Sequence, residues 1–153
     1  MKNIRKIDSF QVDHNTLVPG IYISRIDGDI VTYDLRTRRP NAGDYMDHAT
    51  MHTVEHMLAT YLRNSAIADQ IIYFGPMGCQ TGFYLLVRDA DNARVLAALK
   101  QALADTVAHT GAVFGQSAAE CGNYRTLDLC AAQKECAAYL KVLNEKEQTF
   151  RYE

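Results

Sequence analysis

A chain of 153 residues, 48% hydrophobic and 22% charged, has the size and balance of one globular domain with its own core. A formal net charge of -2, with no basic block longer than the RTRR of residues 36–39, argues against a nucleic-acid partner. No apolar run approaches the roughly 20 residues of a membrane helix, and MKNIRKIDSF lacks the apolar stretch of a signal peptide. We therefore expect a cytoplasmic protein that engages neither membrane nor nucleic acid.

In chain order, SFQVDHN first sets the polar Ser9, Asp13, His14 and Asn15 among apolar residues. Residues 20–26 and 30–36 carry Ile, Val and Tyr on either side of a DGD turn signal and predict a hairpin. Pro40, Asn41 and Gly43 break that pattern. Over 47–63, Met51, Val54, Leu58 and Leu62 recur at spacings of three and four, which predicts a helix with Asp47 as its cap. IIYF and GFYLLVR predict two further strands, joined by the Gly- and Pro-rich GPMGCQT. The alanine-rich stretch 90–109, with Val95, Leu99 and Leu103 in register, predicts a second helix. FGQSAAECGNYR reads as a loop or short helix. Residues 126–145 predict the last helix, on a face of Leu127, Cys130, Ala131, Lys134 and Ala138. The tail EKEQTFRYE shows no decisive pattern. Mixed strands, a hairpin and three helices predict one α+β domain over 1–153.

The chemistry concentrates in HTVEH, residues 52–56. On a helix, His52 and His56 stand one turn apart and can reach a single ion at about 2.1 Å. Glu55 borders the same face and can exchange a proton with whatever the ion holds. The plain alternative is two surface histidines on an amphipathic helix. A catalytic ion needs a third protein ligand, and Cys121 is the best candidate. Gly122 beside it permits close backbone approach, and Glu120 and Asn123 give it a polar setting. His48, His14 and His109 are the other choices. A His2Cys set leaves a fourth position open and suits zinc or ferrous iron.

The four cysteines form no CxxC pair and are expected as thiols in the cytoplasm. Cys130 and Cys136 fall on the last helix's apolar pattern and are expected to be packing residues. Cys79, in PMGCQTG, sits where Gly78 and Gly82 free the backbone. If it lies near an ion, its thiol can serve as a movable acid or base, or as a nucleophile. Two proton carriers beside an open metal position suit proton abstraction next to a carbonyl. Arg36, at a strand end, can anchor a carboxylate or sugar hydroxyls.

Taken in order, SFQVDHN (9–15), YDLRTRRPN (33–41), HTVEHMLA (52–59), PMGCQTGFY (76–84) and ECGNYRTLDL (120–129) resemble the S-ribosylhomocysteine lyase (LuxS) family across almost the whole chain. The resemblance implies an antiparallel sheet packed against helices. It implies cleavage of S-ribosylhomocysteine to homocysteine and 4,5-dihydroxy-2,3-pentanedione, the precursor of an interspecies signal. It casts His52, His56 and Cys121 as metal ligands, Cys79 and Glu55 as acid–base residues, and Ser9, His14 and Arg36 as the substrate-binding set. It further implies Fe(2+) as the native ion, with Zn(2+) or Co(2+) able to substitute, and a homodimer whose two sites draw on both chains. Arg38 and Arg39, directly after Arg36, are an unusually basic departure and leave open which arginine faces the substrate. Two rival functions share parts of the pattern. An inverted HxxEH metallopeptidase would bring a larger chain and a distant glutamate ligand, and a metal-stabilised binding domain would leave Glu55 and Cys79 without work.

Overall fold

The computed structural model describes residues 3–152. Strands β1 (Gly20–Asp27) and β2 (Ile30–Arg36) form the expected hairpin. Gly28 in its tight turn adopts φ +59°, a left-handed conformation that glycine takes without a Cβ penalty. Helix α1 (His48–Leu62) follows, then β3 (Ile71–Pro76), β4 (Gly82–Arg88), α2 (Asn92–Ala108) and α3 (Leu129–Glu145). The strands make one antiparallel sheet in the order β1-β2-β4-β3. This is the α+β architecture the sequence implies.

Alternation along the strands decides which residues meet the helices. Tyr33 and Leu35 of β2 and Phe83, Leu85 and Val87 of β4 share a buried core with Val54, Leu58 and Leu62 of α1. Val95, Leu99 and Leu103 of α2 and Cys136, Tyr139 and Leu143 of α3 complete it. The intervening Asp34 and Arg36 therefore project from the opposite face of β2, and Tyr84 stands across from Asp34 on β4. Each helix opens on an aspartate whose carboxylate accepts an amide three residues on: Asp47 from Thr50, Asp91 from Arg94, Asp128 from Ala131. Among the described residues no helix is long and apolar enough to cross a membrane.

Two expectations for the last helix need correction. It begins at Leu129 rather than 126, because Tyr124–Thr126 forms a separate 3-10 turn and Asp128 is the cap. Its buried face is also out of phase with the predicted one. Ala132, Glu135, Cys136, Tyr139 and Leu143 are buried, whereas Cys130, Lys134 and Ala138 are exposed. Glu135 can lie inside because Arg38 meets its carboxylate at 2.6 Å. Cys136 is thus the packing residue expected, but Cys130 faces outward. The tail, unreadable in sequence, folds back on β1. The Ile23 amide donates to Phe150 O at 2.8 Å, and the Ile21 amide to Gln148 Oε1 at 3.0 Å.

Candidate metal centre and active site

Helix α1 turns one face to the core through Val54, Leu58 and Leu62 and carries His52 and His56 on its flank, both half-buried. The loop after α2 brings Cys121 to them. Ligand atoms of His52, His56 and Cys121 all lie within 4.8 Å of one another. Cys121 Sγ stands 3.4 Å from His52 Nε2, close to the ~3.6 Å that a nitrogen and a sulfur ligand keep around one tetrahedral ion. His48, although its ring neighbours His52, is not part of this group. His109 has both nitrogens engaged, Nδ1 with the Tyr61 hydroxyl and Nε2 with Ala112 O, each at 2.8 Å. His14 lies on the N-terminal turn, Nδ1 at 2.9 Å from Val12 O.

The outer contacts leave all three side chains able to bind an ion. His56 Nδ1 lies 2.7 Å from Phe114 O, and a carbonyl can only accept, so Nδ1 carries the proton and Nε2 keeps its lone pair. His52 Nδ1 is 2.7 Å from Thr126 Oγ1, whose own proton goes to Asn123 O, so the same tautomer results. Burial, then the neighbouring His56 and His48, hold the His52 imidazole below its ordinary range, which favours the neutral ligating form. The Asn123 amide donates to Cys121 Sγ at 3.4 Å, stabilising sulfur charge. Gly115 lets the loop close on His56: its φ is +72°, and a Cβ there would lie 3.1 Å from His56 Nδ1. Tautomer, spacing and donor type all fit a divalent ion. Glu55 lines an open cleft of ≈ 600 Å³ with His56, Tyr73, Phe114 and Glu120. Burial raises its carboxyl above the ordinary range, against the opposing pull of His56, so it can hold a proton.

A second cluster forms on the sheet face that the helices leave. Arg36, 2% exposed, donates to Asp34 Oδ2 at 2.7 Å and to Thr81 Oγ1 at 2.8 Å, and its Nη1 points at Cys79 Sγ from 3.7 Å. Thr81 Oγ1 lies 3.1 Å from the same sulfur. Cys79 itself is exposed. Burial pushes the Tyr84 hydroxyl above its ordinary range, with Asp34 adding to the effect and the neighbouring Ser9 opposing it. Ser9 and Tyr84 line one groove with Ile7 and Tyr73. Arg38 is committed to Glu135 and Asp44, and Arg39 is exposed, so Arg36 is the arginine beside the loop thiol. Among the described residues no hydrogen bond or ring contact joins Cys79, Arg36, Ser9 or His14 to the metal-ligand group. The two groups are thus not bonded to one another, although Tyr73 lines both the Glu55 cleft and the Ser9 groove.

A profile of one family, S-Ribosylhomocysteinase (LuxS), matches residues 7–150, the span that holds both groups. The chain belongs to the LuxS family. Proteins called S-ribosylhomocysteine lyase are similar to it throughout. One from Desulfotalea psychrophila is 46% identical over 142 residues, covering 89% of each chain. One from Finegoldia magna is 42% identical over 146 residues, covering 92% of this chain and 93% of its own. One from Borreliella afzelii is 39% identical over 156 residues, covering 97% and 99%. Within this LuxS chain, the sequence left several contributors unseen: Thr126, the Phe114 carbonyl, Thr81, Asp34 and Tyr152. Backbone carbonyls and hydroxyls carry no spacing signal; Thr126 lies 74 residues from His52, Phe114 58 from His56 and Tyr152 118 from Asp34, while Asp34 stands only two residues from Arg36.

Proposed function

We propose that the chain is an S-ribosylhomocysteine lyase, releasing homocysteine and 4,5-dihydroxy-2,3-pentanedione. The observation that carries this reading is the convergence of His52, His56 and Cys121 in a LuxS-family chain, with an acid–base carboxyl beside them. An ion held by these three would act as a Lewis acid on the substrate's carbonyl and hydroxyl oxygens. The donor set suits ferrous iron and zinc alike; on the family resemblance we assign Fe(2+) as native, with Zn(2+) and Co(2+) as substitutes.

Cys79 takes the first proton, from C2 of the ring-opened aldose, and returns it at C1, moving the carbonyl to C2. A second such shift carries the carbonyl to C3, with Glu55 as the second carrier. Its environment favours a held proton, as a carrier working near neutrality requires. Loss of the C4 proton then expels the C5 sulfur as homocysteine thiolate, and the resulting enol tautomerises to the dione. Ser9, His14 and Arg36 make up the substrate-binding set, with Arg36 acting through its fixed place beside Cys79.

We infer a homodimer in which one chain's metal-ligand group meets its partner's Cys79 group. That no bond joins the two groups among the described residues supports this, as do the exposed Ile7, Phe10 and Tyr73 near Ser9. All four cysteines are unpaired, as a reducing cytoplasm would keep them. The direct test is incubation with S-ribosylhomocysteine and titration of free thiol. No thiol release by metal-loaded protein would end the assignment. Glu55→Gln keeps the side-chain shape but carries no proton; it should bind substrate, release no thiol and show a relocated carbonyl by carbon NMR.

A further inference from the structure

We propose that the C-terminal strap, through the Tyr152 hydroxyl, is a positioning element for Cys79, an inference that rests on the acid–base role given to that thiol. The path is short, and its middle is buried. Tyr152 Oη donates to Asp34 Oδ2 at 2.7 Å, and Arg36 Nη2 donates to that same oxygen at 2.7 Å. Arg36 Nη1 then reaches Thr81 Oγ1 and faces Cys79 Sγ. Asp34 and Arg36 are each 2% exposed. Among the described residues Asp34 Oδ1 and Arg36 Nε have no hydrogen-bond partner, so one carboxylate oxygen carries both donors. A buried carboxylate with so few donors depends on each of them.

The strap is held well enough to do this. Phe150 pairs with Tyr22 across the edge of β1, and its ring meets Tyr33 edge-on at 6.3 Å. Tyr152 stacks on Tyr22 at 5.0 Å. Burial, reinforced by Asp34, pushes the Tyr152 phenol upward, so it stays a donor at every working pH. The charged and titratable groups that face the sulfur are Arg36 from β2 and Tyr84 from β4, while Asp34, Tyr152 from the strap and, on α3, Tyr139 face the Arg36–Asp34 pair. Without the Tyr152 proton, Asp34 keeps its full negative charge and draws the guanidinium to itself. The sulfur then loses part of its contact with the guanidinium.

The experiment is Tyr152→Phe in the metal-loaded full chain. Iodoacetamide labelling of the Cys79 peptide is followed by mass spectrometry across pH. We expect labelling below the midpoint to slow on the order of five-fold, the worth of one hydrogen bond, with the midpoint moved to higher pH. kcat should fall with KM and metal content unchanged. Val95→Ala, a core truncation on α2 at a residue that makes none of these hydrogen bonds, serves as a control for general loosening and should leave the midpoint in place. A Tyr152→Phe profile that overlays the wild type overturns the proposal, and so does an equal shift in Val95→Ala. Because labelling is read on the thiol itself, these outcomes stand apart from the catalytic assignment, which fails instead if Cys79→Ala retains turnover.

Discussion

Cys79 and Cys121 are both thiols next to a glycine, yet their surroundings differ in kind. Cys121 meets a histidine nitrogen and a backbone amide, and Cys79 meets a guanidinium and a hydroxyl. A ligand and a proton carrier respond differently to deletion. Cys121→Ala should release or greatly weaken the ion, because two imidazoles alone bind it poorly. Cys79→Ala should keep both fold and ion and lose turnover by roughly 10²–10⁴-fold, the worth of a placed acid or base. Metal analysis beside thiol-release rates separates the two. A metal-free Cys79→Ala next to a metal-replete Cys121→Ala would exchange the roles.

At the level of elements, α1 is the part whose stability the site feels most directly, since it carries His52, Glu55 and His56. Its first turn rests on Asp47, whose carboxylate accepts the Thr50 amide at 2.8 Å. The hydrogen bond from Thr50 holds the Asp47 carboxyl below its ordinary range. A depressed carboxyl contributes stability above its unfolded value and loses it as pH falls through its folded value. Asp47→Ala should therefore cost about 1 kcal/mol near neutrality and progressively less as pH falls below the ordinary carboxylate range, read as converging melting curves. This cap was legible beforehand because an aspartate stood directly before a clean apolar period. The last helix was harder to read. Its true inner face contains Glu135, a charge that no periodicity rule places inside, and the residue that permits it, Arg38, is 97 positions away. The same distance problem concealed Thr126 behind His52 and Tyr152 behind Asp34, although HTVEH itself was plain. Local pattern reports which residues share a helix face, while the partners that set their chemistry are supplied by the fold.

At the level of the whole molecule, the proposed sharing of each site between two chains makes a quantitative demand. If each site joins one chain's triad to its partner's Cys79, then Cys79→Ala and Cys121→Ala chains, each inactive alone, complement one another. A mixed dimer carries one site with both lesions and one with none. Co-expression with random pairing should restore about a quarter of wild-type turnover, by the symmetry of a two-fold dimer. Turnover no higher than the single variants would show that each site belongs to one chain, and sedimentation as a monomer would remove the dimer altogether.

The loop that delivers Cys121 is fastened to the body of the protein by a small satellite cluster of Met57, Val113 and Leu127, by Phe114 against Tyr61, and by bonds to His52, His56 and Thr53. Its ligand is 69 residues from His52 along the chain, so an ion bound there would act as a clasp on a segment with little core of its own. Segments of that kind open locally at free energies far below that of global unfolding. Removing the ion with a chelator should therefore quicken amide hydrogen exchange in residues 113–127 and at the His52–His56 turn, while β2 and β4 keep their protection. Exchange that quickened equally across the sheet would instead make the ion a fastener of the entire fold.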